Sequence, residues 1–82
     1  MAITAIDDFK ITSAFDQITI NGELIMGTQI QLYDLQGRNL LTKQVIASTN
    51  QMTIDTSRFL SGVYLIQIKN NRGAKTCKVV IH

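Results

Sequence analysis

The chain has 82 residues, 45% of them hydrophobic and 17% charged, with a net charge of +2, a composition that describes one globular domain and excludes a disordered chain. Its longest apolar runs, such as Leu24-Ile25-Met26-Gly27 and Val79-Val80-Ile81, fall far short of the roughly 20 residues of a membrane-spanning helix, so no membrane insertion is expected. Cys77 and His82 are the only cysteine and histidine, which leaves neither a disulfide nor the about four ligands of a zinc site, and no metal or cofactor is expected.

Met1–Asp8 has neither the basic region nor the apolar stretch of a signal peptide. Met1-Ala2 reads as an added start, and the single domain over residues 1–82 is expected to be the C-terminal piece of a longer protein. From Phe9 onward the dominant period is two. Phe9, Ile11 and Ser13 alternate with Lys10 and Thr12, then Ile18 and Ile20 with Gln17, Thr19 and Asn21. Each is the pattern of a strand with one face inward and one wet. Asn21-Gly22 is the strongest short hairpin dipeptide, while the apolar Leu24-Ile25-Met26-Gly27 after it equally suits a crossover between sheets. Both readings stay open.

Thr28, Ile30 and Leu32 alternate with Gln29, Gln31 and Tyr33, and this strand runs into Asp34-Leu35-Gln36-Gly37. An Asp at the start and a Gly at the end suit a type I turn closed by a left-handed glycine. Arg38 is then a cation at the start of the next strand. Met52 and Ile54 alternate with Gln51, Thr53 and Asp55. In Thr56–Gly62 the alternation stops; Asp55 or Thr56 is placed to cap a single helical or 3₁₀ turn that drops Leu60 into the core as a plug. Gly62 then lets the backbone swing into the next strand where a side chain would crowd it.

Gly62–Lys69 is apolar on both faces over its first half, which predicts a strand covered on both sides in the middle of its sheet. Within it Tyr64 offers a large apolar face with a hydroxyl tip for the sheet rim. Asn70-Asn71-Arg72-Gly73 is a second turn, leading to a last strand over Lys75–Ile81, where Cys77 falls on the inward alternation with Val79 and Ile81. The expected fold is all-β: a small antiparallel β-sandwich of about seven strands, Ig-like.

Charge is unevenly placed. Residues 1–55 hold all six acids (Asp7, Asp8, Asp16, Glu23, Asp34, Asp55) against Lys10, Arg38 and Lys43, a balance of −3; residues 56–82 hold Arg58, Lys69, Arg72, Lys75 and Lys78 and no acid, a balance of +5. Such a distribution suits edge lysines that block aggregation, or a docking surface for an acidic partner. The basic residues are not interleaved with exposed aromatics in any nucleic-acid-binding module, so no nucleic-acid partner is expected.

Three blocks occur in order: Tyr33-Asp34-Leu35-Gln36-Gly37-Arg38, then Leu60-Ser61-Gly62-Val63-Tyr64, then Lys78-Val79-Val80. The ordered set resembles the C-terminal sorting domain of cargo proteins of the type IX secretion system of Bacteroidota. That family shows an aliphatic-Tyr-Asp-x-x-Gly-(Arg/Lys/Gln) block, a Leu-x-x-Gly-(Val/Ile)-Tyr block and a closing Lys-(Leu/Val)-Val block, and the match covers roughly residues 28–81. The chain lacks the family's Asn-Pro element and ends on His82 rather than Lys or Arg. The resemblance implies that Tyr33, Asp34, Gly37, Arg38, Leu60, Gly62, Val63, Tyr64, Lys78, Val79 and Val80 make a shape that the outer-membrane type IX translocon recognises. It further implies passage through the periplasm, removal of the domain by a sortase-like protease, and a destination at the cell surface or in the medium.

Catalytic equipment is not expected. The one histidine is the last residue, poorly placed to be held within ~3 Å of a nucleophile. The five glycines are dispersed at turns rather than gathered in a phosphate loop, and the acids lack calcium-loop spacing. No small-molecule substrate is therefore expected. The alternative to a sorting signal is a structural or carbohydrate- or protein-binding Ig-like accessory module of a surface protein.

Overall fold

The period-two segments fold as strands, and the computed structural model describes residues 9–82. In chain order they are β1 (Lys10–Ala14), β2 (Gln17–Leu24), β3 (Gln29–Tyr33), β4 (Asn39–Gln44), β5 (Thr49–Asp55), β6 (Gly62–Asn70) and β7 (Gly73–Ile81). They form a three-stranded sheet, β1-β2-β5, and a four-stranded sheet, β4-β3-β6-β7. Every pairing is antiparallel. The small all-β sandwich expected from the sequence is the architecture observed, and no helix occurs among the described residues. The readings made on Met1–Asp8 lie outside the described residues.

The core is the inward half of each alternation. Ile18, Ile20 and Ile54 come from one sheet and Ile30, Leu32, Ile66, Ile68, Val79 and Ile81 from the other, all buried. Full burial of each such side chain stabilises by about 1.5–3 kcal/mol. A slip of one residue in any strand would turn its whole set to water, so burial also fixes the register. Cys77 faces the core as its alternation with Val79 and Ile81 predicts, packing against it. It stays half-exposed because β7 is an edge strand.

The choice left open over Asn21–Gly27 resolves in favour of the crossover. Asn21-Gly22 is no hairpin: it lies inside β2, at an irregularity between Asn21 and Leu24 opposite β5. Gly22 has φ +149°, and a Cβ there would sit 2.5 Å from Cδ1 of Phe9. The glycine lets the Phe9 ring lie directly on the strand. Leu24–Gly27 is the crossover between sheets. The Gly27 N–H donates to the Val45 carbonyl (2.8 Å) and the Val45 N–H to the Thr28 carbonyl (2.8 Å), so the β2–β3 and β4–β5 links strap one another.

The ends of the sandwich differ in content. At one end the Thr56 N–H donates to the Asp16 carbonyl (2.9 Å), and Ser13 Oγ lies 3.5 Å from His82 Nε2. The β1–β2 turn, the β5–β6 loop and the end of β7 therefore meet there. Tyr33 at the end of β3 is paired with Leu65 near the start of β6, which brings the β3–β4 turn to the same end. Phe9, where the described chain enters, packs over Gly22 toward the opposite end.

Candidate functional site

The first motif block is a turn clasped by its own acid. The Gly37 N–H donates to the Asp34 carbonyl (3.0 Å) and the Asp34 N–H to the Arg38 carbonyl (3.1 Å), with Gly37 at φ +87°. Asp34 Oδ1 accepts from the N–H groups of Gln36 (3.0 Å) and Arg38 (2.9 Å), and Oδ2 accepts from Arg38 Nε at 2.6 Å. These interactions, the Arg38 N–H first, hold the Asp34 carboxyl below the usual 3.8 against the opposing pull of burial. The turn forms as the sequence predicts, but Arg38 is the clasp of the turn rather than a strand-start cation, since β4 begins at Asn39.

The second block corrects two expectations. Leu60 is not a plug: it is 84% exposed. The segment is a turn without a helical stretch, in which the Ser57 N–H donates to Asp55 Oδ1 (2.9 Å) and the Phe59 N–H to the Thr56 carbonyl (3.0 Å). That bond to Ser57, with the Arg58 charge as a smaller cause, holds the Asp55 carboxyl low. The closed turn buries Thr56 and sets Phe59 against the core. Phe59 thereby occupies the place expected for Leu60. Its ring centroid lies 6.3 Å from that of Tyr64, and the Arg58 guanidinium sits 5.6 Å from it. The Tyr64 hydroxyl donates to the Leu60 carbonyl (2.7 Å), as its rim position predicts, pinning the Leu60 backbone while the side chain stands in water. Gly62 is also required for another reason than crowding. A Cβ there would meet only Tyr64 Cε1 at an ordinary 3.9 Å, whereas φ +153° disfavours an L side chain.

A groove of about 480 Å³ gathers Asp34, Arg38, Leu60, Gly62, Val63 and Tyr64 at this end of the sandwich. Gly37 is the turn residue beside it, and Tyr33 precedes it with its hydroxyl on Gln31 Oε1 (2.5 Å). The third block lies on the neighbouring strand, with Lys78, Val79 and Val80 opposite Leu65, Tyr64 and Val63 in turn. All three blocks are therefore contiguous in space. Sequence reasoning missed Leu35, Leu40, Arg58 and Phe59, which also line the groove; only the loss of alternation after Asp55 marked the segment that supplies two of them.

Within the blocks, alternation sorts the side chains into two sets. Tyr64 and Val79 are partners on the core side, and Val63 and Val80 are partners on the outer side. Val63 is 42% and Val80 45% exposed. β6 does sit inside its sheet, between β3 and β7, but it is not covered on both faces. Nothing among the described residues packs on the outer face of the four-stranded sheet, so its second apolar face is a surface. That face also carries half-buried Tyr33 and Leu65, which pair with one another. The strands of the two sheets differ in charge as well. β3, β4, β6 and β7 contain Lys43, Lys69, Lys75 and Lys78 and no acid, whereas β1, β2 and β5 contain Lys10, Glu23 and Asp55.

Two antiparallel sheets packed face to face, with the three blocks gathered at one end, define a small β-sandwich domain. The chain matches the secretion system C-terminal sorting domain over residues 12–82, and it belongs to that family, the sorting domains of type IX secretion. The match extends beyond the three blocks to include β2 and most of β1. The family is one of non-catalytic sorting signals. No curated protein matches the chain.

Proposed function

We propose that this domain is a sorting signal read by the outer-membrane type IX translocon through the outward members of its three blocks: Tyr33, Leu60, Val63, Lys78 and Val80. The observation that carries this reading is the Val63–Val80 pair. Two directly opposed valines left more than two-fifths exposed contribute little to the core, and in a domain whose other outer face is mainly Thr, Gln and Asn with Lys10, Ala14 and Asp55, they make sense as a contact surface. The remaining block residues shape that surface: Asp34, Gly37 and Arg38 clasp one turn, while Gly62 and Tyr64 set the loop that presents Leu60. Val79 seats β7 in the core.

A cargo preceding the domain leads through Met1–Asp8 to Phe9, which packs toward the end away from the groove. In this reading the cargo passes through the periplasm, the domain is removed by a sortase-like protease, and the cargo reaches the cell surface or the medium.

The test fuses the chain behind a periplasmic reporter in a bacterium possessing type IX secretion. The intact fusion is expected outside the outer membrane. Val63→Thr with Val80→Thr, which keeps β-branching, is expected to retain the fold by circular dichroism and to leave the reporter in the periplasm. If the intact fusion never leaves the periplasm, the sorting reading fails and the spacer or accessory-module alternative takes its place. Export unchanged in the folded double variant would move the recognised surface away from this face.

A further inference from the structure

We propose that the outer face of the four-stranded sheet docks an acidic partner protein, one that presents a small apolar spot with carboxylates to one side of it. This rests on the sorting reading above and adds the chemistry of the partner. The apolar part of the face lies at its groove end: Val63 faces Val80 directly, and Leu65 lies between Tyr33 and Lys78, whereas the next row along the strands is Gln31, Gln67 and Thr76. Its charged members are Lys78, beside Leu65, and Lys69, at the far end between Gln29 and Ala74, both exposed. Lys43 and Lys75 are opposite buried Ile30 and Ile68, on the other side of the sheet.

No strand of this sheet contributes an acid that would neutralise the face from within. The acids among the described residues are Asp16 in the β1–β2 turn, Glu23 in β2, Asp55 in β5, and Asp34, whose two oxygens are occupied by its own turn. The cationic excess of residues 56–82 is thus, in part, a one-sided field over an apolar patch. Complementary charge at the rim of an apolar patch is a usual form of a specific contact.

Other occupants fit less well. A second copy docked by the same face would set Lys69 and Lys78 against a surface that carries only lysines, a like-charge juxtaposition. An anionic membrane usually engages clusters of about four to eight basic residues, and this face offers two, with short valines in place of side chains that insert. A protein surface bearing carboxylates beside an apolar spot satisfies both the charge and the apolar patch.

The experiment has two arms. In the first, the reporter fusion is compared with its Lys78→Gln, Lys78→Glu and Lys69→Glu variants, with Lys10→Glu on the other sheet as control. Melting by circular dichroism establishes that each is folded. Export is expected to fall in the order wild type, Lys78→Gln, Lys78→Glu, the last by about five- to tenfold for reversal of a charge at the patch, to fall less in Lys69→Glu, which lies farther from the patch, and to be unchanged in Lys10→Glu. Where the wild-type fusion is exported and the charge series is flat, or Lys10→Glu is equally impaired, the acidic-partner inference is overturned and the sorting reading stands.

In the second arm, the isotope-labelled chain is titrated with a pentapeptide alternating glutamate and valine, with its lysine counterpart, and with vesicles containing anionic phospholipid. Amide shifts confined to Val63, Leu65, Lys78 and Val80, seen with the glutamate peptide alone and abolished by Lys78→Glu, support the inference. Equal shifts with both peptides, no shifts, binding to the vesicles alone, or concentration-dependent self-association through this face overturn it. The export arm decides whenever the wild-type fusion is exported; the titration decides when it is not.

Discussion

The exchange of roles between Phe59 and Leu60 makes a quantitative prediction. Leu60 is 84% exposed, so about a sixth of its surface is withdrawn from water. Full burial of a leucine side chain is worth about 1.5–3 kcal/mol, and the covered fraction therefore about 0.3–0.5 kcal/mol. Leu60→Ala is expected to destabilise by no more than this, within the ordinary range of a surface substitution. Phe59 is half-buried, packs on the core and meets Tyr64 at 6.3 Å. A fully buried Phe→Ala costs about 3–5 kcal/mol; at half burial Phe59→Ala is expected to cost about 1.5–2.5 kcal/mol. Urea unfolding measures both, read from midpoints at unchanged slope so that the denatured state is comparable. A cost for Leu60→Ala above about 1.5 kcal/mol, or for Phe59→Ala below about 0.5 kcal/mol, would refute the placement of these two side chains. The pair also separates stability from recognition, because Leu60→Ala is expected to lower export with the fold intact.

Thr28 is fully buried, and its Oγ1 has no hydrogen-bond partner among the described residues. Thr28→Val, which removes a desolvated hydroxyl at constant shape, is expected to stabilise by about 1 kcal/mol in thermal or urea unfolding, and a destabilisation would mean that the hydroxyl is satisfied. Gly22→Ala combines a positive φ with a Cβ forced to 2.5 Å from the Phe9 ring, and should cost about 2–4 kcal/mol; a neutral result would show that Phe9 is not seated there. The carboxyls of Asp34 and Asp55 are held below 3.8 in the folded state. Each therefore contributes stability that is present above the unfolded value and is lost as pH falls through the folded one. The melting temperature should fall as pH drops below about 3.8, less steeply in Asp34→Asn, and identical slopes in the two proteins would exclude the Asp34 clasp as a source.

Much of the sandwich was legible because its strands bury one face. Thr28, Ile30 and Leu32, or Ile18 and Ile20, can be told from their neighbours by period alone, and the structure buries all five. The Asp34–Gly37 turn was equally legible, since its chemistry is local to five residues. What period could not convey is coverage. β6 is apolar on both faces, which a sequence presents identically whether a second layer lies above it or water does. Gly22 shows a related limit: its dipeptide signals a hairpin locally, but its role is set by the Phe9 ring, thirteen positions away in the chain. A strand after Arg38 was expected, but its faces were not legible, because Leu40 and Leu41 are consecutive and the rest of β4 is exposed. Leu60 was misplaced because a loop offers no alternation, and whether Phe59 or Leu60 turns inward depends on the bond from Phe59 N–H to the Thr56 carbonyl.

The short blocks carry both a fold and a surface because a strand of period two places adjacent residues on opposite faces. In Val63-Tyr64 and Val79-Val80, one member of each dipeptide packs inward and the other stands outward, and antiparallel register sets the two outward members side by side. Each outward residue is therefore positioned by its inward neighbour: Tyr64 and Val79, with buried Ile66, Ile68 and Ile81, hold the strands in register. Substituting an inward residue perturbs the surface through the fold, whereas substituting an outward residue perturbs the surface alone. Loss of export on mutating any block residue cannot by itself distinguish these causes. The division by face does, because it predicts that Tyr33, Leu60, Val63, Lys78 and Val80 separate from Asp34, Gly37, Gly62, Tyr64 and Val79 when stability and export are measured on the same variants.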